Sequence, residues 1–173
     1  MMMSSLKYLS STFLLMLTFA FVSAQNTHVK LAHYDEDEIV KLMKETEAAE
    51  RTLKSLSDQY EAEMEKMEGE YTRKAAEYQN EQASWDETIK RVRMEEIHTI
   101  KLKMQNYYDM ASKTLSDKRN ELYIPVHKKI DQAVAEVAKE QGFLYVWDVK
   151  TLKYCSPQAV DITSMIKRKL GIK

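Results

Sequence analysis

The sequence has little with which to turn or to cross-link itself: one cysteine, three glycines and two prolines in 173 residues. A single thiol cannot build an internal disulfide framework or a cysteine-based zinc site. So few turn-formers exclude an all-β sandwich and a loop-rich enzyme. No apolar run reaches the roughly 20 residues of a membrane-crossing helix, which excludes a polytopic membrane protein. Bulk charge of one sign is also missing. The formal net charge is −1, so nothing points to a nucleic-acid partner. No phosphate-binding loop and no Ser/His/Asp or Cys/His arrangement can be placed, and His28, His33, His98 and His127 show no ligand spacing. Asp35 to Glu38 fit helix capping better than a carboxylate site, and Cys155 reads as a buried thiol in a strand. The expectation is a non-enzyme with no metal and no cofactor.

What is present is charge and helical pattern. Charged residues make up 31% and apolar residues 44%, at a mean hydropathy of −0.53. That mixture suits long amphipathic helices better than a thick globular core.

Residues 1–24 read as a secretory signal peptide. Lys7 precedes an apolar run from Phe13 to Val22, and Val22 and Ala24 occupy the positions a signal peptidase recognises. A run of ten is too short to span a bilayer, and no cysteine follows it for a lipid anchor. The expected product is exported and soluble.

From Ile39 to Tyr78 the apolar or small residues Ile39, Leu42, Ala49, Leu53, Leu56, Tyr60, Met64, Met67, Tyr71, Ala75 and Tyr78 recur, with Thr46 filling the missing step. That is 11 steps over 39 residues, between the coiled-coil and straight-helix periods. A second stripe runs through Ile97, Ile100, Met104, Tyr107, Ala111, Leu115, Leu122, Val126, Ile130, Val134 and Val137, interrupted by Lys118. Two long helices follow, expected over 35–141. Ser84 and Glu87 have the spacing of a capping box, which puts the turn near 80–86. Pro125 predicts a kink near 125, and Gly69 a softer stretch in the first arm. Arms of this length would extend about 70–80 Å. Leu31–Lys90 carries 17 acidic and 8 basic residues, and Arg91–Lys173 carries 10 and 16. Folded back on each other, the arms would attract; each is also simply a solvated face.

The ends differ in kind. Residues 25–34 are expected to contribute one strand. Gly142 should stop the second helix. Phe143–Asp148 and Leu152–Cys155 read as two partner strands joined by a turn, and Asp161 should cap a last helix through Leu170. The expected fold class is therefore mainly α with a small β-body. A long antiparallel helical hairpin, 35–141, is inserted between short strands from 25–34 and 142–173. So small a sheet leaves edges exposed, which assembly would cover.

This order of elements resembles the Skp/OmpH family of periplasmic chaperones. The residues that carry the resemblance are Lys30-Leu31-Ala32, Pro125-Val126-His127-Lys128-Lys129-Ile130 and Val137 through Asp148. Asp161-Ile162-Thr163 and the closing Lys169-Leu170-Gly171-Ile172 complete it, the last most similar to Bacteroidetes-type versions. The resemblance implies a homotrimer whose short strands form a β-body with three hairpins around a cavity. It implies an ATP-independent holdase that keeps unfolded outer-membrane proteins from aggregating there. Known members are strongly basic. This chain departs from them, which argues against direct binding to anionic membrane or lipopolysaccharide. The other function class left open is a structural or adaptor coiled coil of the cell envelope, whose mark would be a tight, Leu-rich seam.

A holding surface calls for adaptable side chains that make many weak contacts. The candidates for client contact are Met64, Met67, Tyr71, Tyr78, Trp85, Met94, Met104, Tyr107, Tyr108 and Met110. Most of these positions would equally serve the seam between the arms. Trp85, near the tip, has the least seam to fill.

Overall fold

The computed structural model describes residues 29–172. The expected signal peptide and the first residues of the expected 25–34 strand lie outside them. Strand β1 (Leu31–Tyr34) leads into a short helix α1 (Glu36–Leu42) and a long helix α2 (Lys44–Glu81). A turn of 3₁₀ helix (Gln82–Ser84) joins α2 to the longest helix, α3 (Glu87–Gln141). Strand β2 (Tyr145–Asp148), a second 3₁₀ turn (Val149–Thr151), strand β3 (Val160–Asp161) and helix α4 (Thr163–Lys169) complete the chain.

Helix α1 starts where Asp35 accepts a hydrogen bond from the Glu38 N–H, at 3.0 Å, with Glu36, Asp37 and Glu38 in the first turn. Their charges complement the N-terminal end of the helix dipole. The first arm is not one helix, as its periodicity predicts. Met43 is extended (φ −78°, ψ 135°) and separates α1 from α2. The break advances the buried stripe by one residue. Met43 is 3% exposed, whereas Leu42, expected inward, is 47% exposed. No Gly or Pro marks this place. The burial of a whole Met side chain offsets the lost helical turn.

The tip also differs in detail. Asp86, not Ser84, caps α3, accepting from the Thr88 and Ile89 N–H groups at 2.8 and 2.9 Å. The Ser84 hydroxyl donates backward to the Glu81 carbonyl, so it closes the preceding turn instead. A carboxylate beside the helix start accepts two bonds and carries the favoured charge, which a Ser hydroxyl does not. Helix α3 then runs unbroken through Pro125 and ends at Gly142, whose φ of 71° is left-handed. Gly69 likewise lies within continuous helix.

The sheet has the order β2-β1-β3, and both pairings are parallel. Leu152–Cys155 does not form the expected partner strand. Asp148 folds the chain away from β2: its carboxylate accepts from the Lys150 N–H, and its carbonyl accepts from the Thr151 hydroxyl. The following segment crosses to the other side of β1, passing His33, whose Nδ1 lies 3.5 Å from the Cys155 sulfur. β3 then pairs there, His33 against Asp161.

The core sits where the sheet, the base of the hairpin and α4 meet. Ile39, Ile130, Ile162 and Ile166 are fully buried there, with Val126, Ala133 and Val137 from the same face of α3. Ala32 and Tyr34 point into this core from β1. The opposite face of the sheet carries exposed Leu31, Tyr145 and Trp147, the two rings stacked at 5.4 Å.

Candidate functional site

Burial along the arms falls off from base to tip. Thr46, Ala49 and Leu53 are buried against α3, but Leu56, Tyr60, Met64, Met67, Tyr71, Ala75 and Tyr78 are only half-buried. The facing stripe behaves alike: Val126, Ile130 and Val137 are buried, Met104, Tyr107 and Leu115 half-buried. Ile100 and Ala111 are the buried exceptions of the outer arm. Rings and thioethers fill a two-helix seam less completely than branched aliphatics, so grooves open beside it.

Three grooves gather seven of the ten sequence-derived candidates. Tyr78 and Met94 line one of about 480 Å³ near the tip. Tyr71 and Met104 line another of about 660 Å³. Met64, Tyr107 and Tyr108 line a third, of about 410 Å³, midway along the arms. Tyr60 stands at its floor, edge-on to Tyr107 at 5.9 Å. Met67, Trp85 and Met110 lie outside these grooves. Of all ten, Met94, Tyr108 and Met110 are exposed, Tyr108 most at 62%. Trp85 is more occupied than its place at the tip leads one to expect. It packs edge-on against Tyr78 at 5.8 Å, with the Arg93 guanidinium 6.0 Å from its ring. Tyr60 and Leu115 belong to the same surface but were seam positions only. Their juxtaposition follows from pairing the two stripes antiparallel.

Charge ties the arms together in two places. Near the base, Glu45 meets Lys129, Glu50 meets Arg119 at 3.3 Å, and Glu36 meets His127 at 2.6 Å. These pairs have the polarity expected of an acidic first arm and a basic second one. Nearer the tip the polarity reverses, with Lys74 on Glu96 at 2.6 Å. The hydrogen bond from Lys129 holds the Glu45 carboxyl below the usual range, and those from Lys74 and Arg93 do the same to Glu96. The Tyr123 hydroxyl donates to Glu50, which pushes that phenol up. These side chains are partly exposed, so solvent screens the pairs and each adds little to stability. Among the described residues, no ion pair crosses the seam between Glu50 and Lys74. The mid-arm groove lies in that gap.

The hairpin is anchored to the sheet by polar contacts at its base. The Asp161 carboxylate accepts from the Thr163 N–H (2.8 Å) and hydroxyl (2.6 Å). The Thr163 hydroxyl in turn accepts from the Asp35 N–H at 2.9 Å. Burial works to raise the Asp161 pKa, but the Thr163 hydrogen bonds outweigh it and hold the carboxyl below its usual range. Lys167 on Glu38 and Lys150 on Asp37 add ion pairs across the same junction.

A family model described as outer membrane protein (OmpH-like) matches residues 30–170. A solved structure from Caulobacter crescentus, of a candidate outer membrane chaperone (OmpH-like), resembles the chain with a TM-score of 0.66. The two are 14% identical over 81% of this chain and 82% of that one, so the likeness is one of fold. No curated protein matches the chain. Among the described residues, no helix is long and apolar enough to cross a membrane.

Proposed function

This chain belongs to the OmpH-like outer membrane protein family, and we propose that it is a periplasmic, ATP-independent holdase for unfolded outer-membrane proteins. The observation that carries this reading is the half-open seam. Tyr and Met side chains stand beside three grooves of the outer arm, while tight packing is concentrated at the base, with Ile100 and Ala111 the buried exceptions farther out. An unfolded barrel strand presents alternating apolar side chains. Polarizable thioethers and rings on a wet surface meet many such segments with weak contacts, and release needs no nucleotide. A structural coiled coil would instead carry its tight seam to the tip.

We take the working division as signal peptide 1–24, arm 35–141 and body 25–34 with 142–173. The body supports assembly into a homotrimer. Leu31, Tyr145 and Trp147 form an outward apolar sheet face, and a three-stranded sheet has unpaired edges. Copies of the same face would cover both, and would set the hairpins around a common space.

The test is dilution of a urea-unfolded outer-membrane β-barrel protein into buffer with and without the chain, followed by light scattering. Scattering should be suppressed without ATP at about three chains per client. Undiminished scattering at any ratio sinks the holdase and leaves the structural or adaptor coiled coil.

A further inference from the structure

We propose that the mid-arm groove between α2 and α3 selects cationic segments of unfolded clients, seating a Lys or Arg side chain between the exposed Tyr108 ring and the carboxylates of Glu61, Glu65 and Glu68. The proposal rests on the holdase reading and names the client chemistry that this groove prefers.

The groove combines an apolar floor with a rim of one charge. Tyr60, Tyr107 and Leu115 supply the floor. Glu61, Glu65 and Glu68 stand at i, i+4 and i+7, so α2 presents them along one face, beside the seam. No basic side chain lines the groove. Among the described residues, none of the three carboxylates has an ion-pair partner; Glu61 only accepts a hydrogen bond from the Ser57 hydroxyl at 2.9 Å. The nearby cations are engaged elsewhere, Lys66 by Glu63, Lys113 by Asp117 and Lys54 by Asp58. Burial, then the charge of Glu63, pushes the Tyr107 phenol up.

Charge complementarity decides the occupant. An anionic segment, or an anionic lipid surface, would meet three carboxylates of like charge with no ion-pair partner among the described residues. A second copy of this groove would bring three more of the same sign. A cationic side chain meets carboxylates and an aromatic face together, and its aliphatic stem covers the apolar floor. A volume of about 410 Å³ suits one or two side chains, not a folded partner. The cross-arm ion pairs stop on either side of the groove, so a bound cation displaces none of them.

The test uses three short unstructured peptides with the same alternating apolar residues, differing only in whether the polar positions are Arg/Lys, Ser or Glu. Their binding to the full chain is read by fluorescence anisotropy at low ionic strength, with barrel-client aggregation measured in parallel. The cationic peptide should bind about tenfold more tightly than the acidic one, as several weak exposed pairs together allow. Glu61→Gln, Glu65→Gln and Glu68→Gln combined should abolish that preference and leave the Ser peptide within about twofold, since Gln keeps the helix. Tyr108→Ala, a separate variant, should weaken the cationic peptide more than the Ser peptide. Equal binding of cationic and acidic peptides, or a preference that survives the triple substitution, overturns the inference. If aggregation is still suppressed in that case, the holdase reading stands alone; if no peptide binds and aggregation proceeds, both fall.

Discussion

Ile130 and Ile124 sit on the same helix and differ by less than two turns, yet Ile130 is fully buried and Ile124 is 65% exposed. Replacing each by Ala therefore separates burial from every local effect of the substitution. Ile130 packs in the cluster that joins the hairpin base to β1 and α4. Removing its three outer carbons forfeits about 2.4 kcal/mol of transfer free energy at about 0.8 kcal/mol per buried methylene. The cavity left among Ile39, Ile162 and Ile166 adds to this, and the better helix propensity of Ala returns a few tenths. The expected loss for Ile130→Ala is about 3 kcal/mol, a large share of a typical domain's stability. For Ile124→Ala only the propensity gain and a small surface term remain, so the change should fall within about ±0.5 kcal/mol. Urea denaturation followed by far-ultraviolet circular dichroism, repeated at two protein concentrations because assembly adds its own stability, gives both values. Equal losses for the two variants, or a loss below about 1 kcal/mol for Ile130→Ala, would refute the claim that the core lies at this junction.

Thr163→Val keeps the shape but removes the hydroxyl that links Asp161 to the Asp35 N–H. It should cost about 1–3 kcal/mol in the same denaturation assay, and no loss would show that the link is dispensable. Burial, then the charge of Glu36, pushes the Tyr34 phenol up to about 12. The unfolded chain ionises first, so this group's favourable contribution is full below about pH 10 and declines from there to about pH 12. Tyr34→Phe should flatten that alkaline decline in urea midpoints, and an unchanged slope would remove Tyr34 as its cause. Pro125 lacks the N–H that a helix interior uses, although α3 continues through it. Pro125→Ala should raise stability by up to about 3 kcal/mol, and a lower thermal midpoint would mean that the proline packs productively.

The two long helices were legible because a helical stripe is a local property. Residues three and four apart share a face whatever lies opposite, so the recurrence from Ile39 to Tyr78 and from Ile97 to Val137 announced both arms. Gly142 was legible for a similar reason, since only glycine takes its left-handed backbone without strain. The family resemblance, too, rested on short local runs around the arm base and the last 50 residues.

What tertiary structure decided is what depends on partners distant in sequence. β1 chooses β2 and β3 as parallel neighbours across the whole hairpin, and no local pattern in Leu152–Cys155 reveals that it is excluded. Met43 breaks the first arm because a core waits to bury it, with no Gly or Pro to mark the place. The ten candidate residues could not be sorted in advance between seam and groove. Helical spacing places Tyr107 and Tyr108 on adjoining faces, but the rotation of one arm against the other decides which ring is packed on Tyr60 and which faces water. The same rotation set the carboxylates of Glu61, Glu65 and Glu68 beside an apolar floor contributed by the other helix. Periodicity is a property of one chain segment, whereas a groove belongs to two, and only their packing brings it into being.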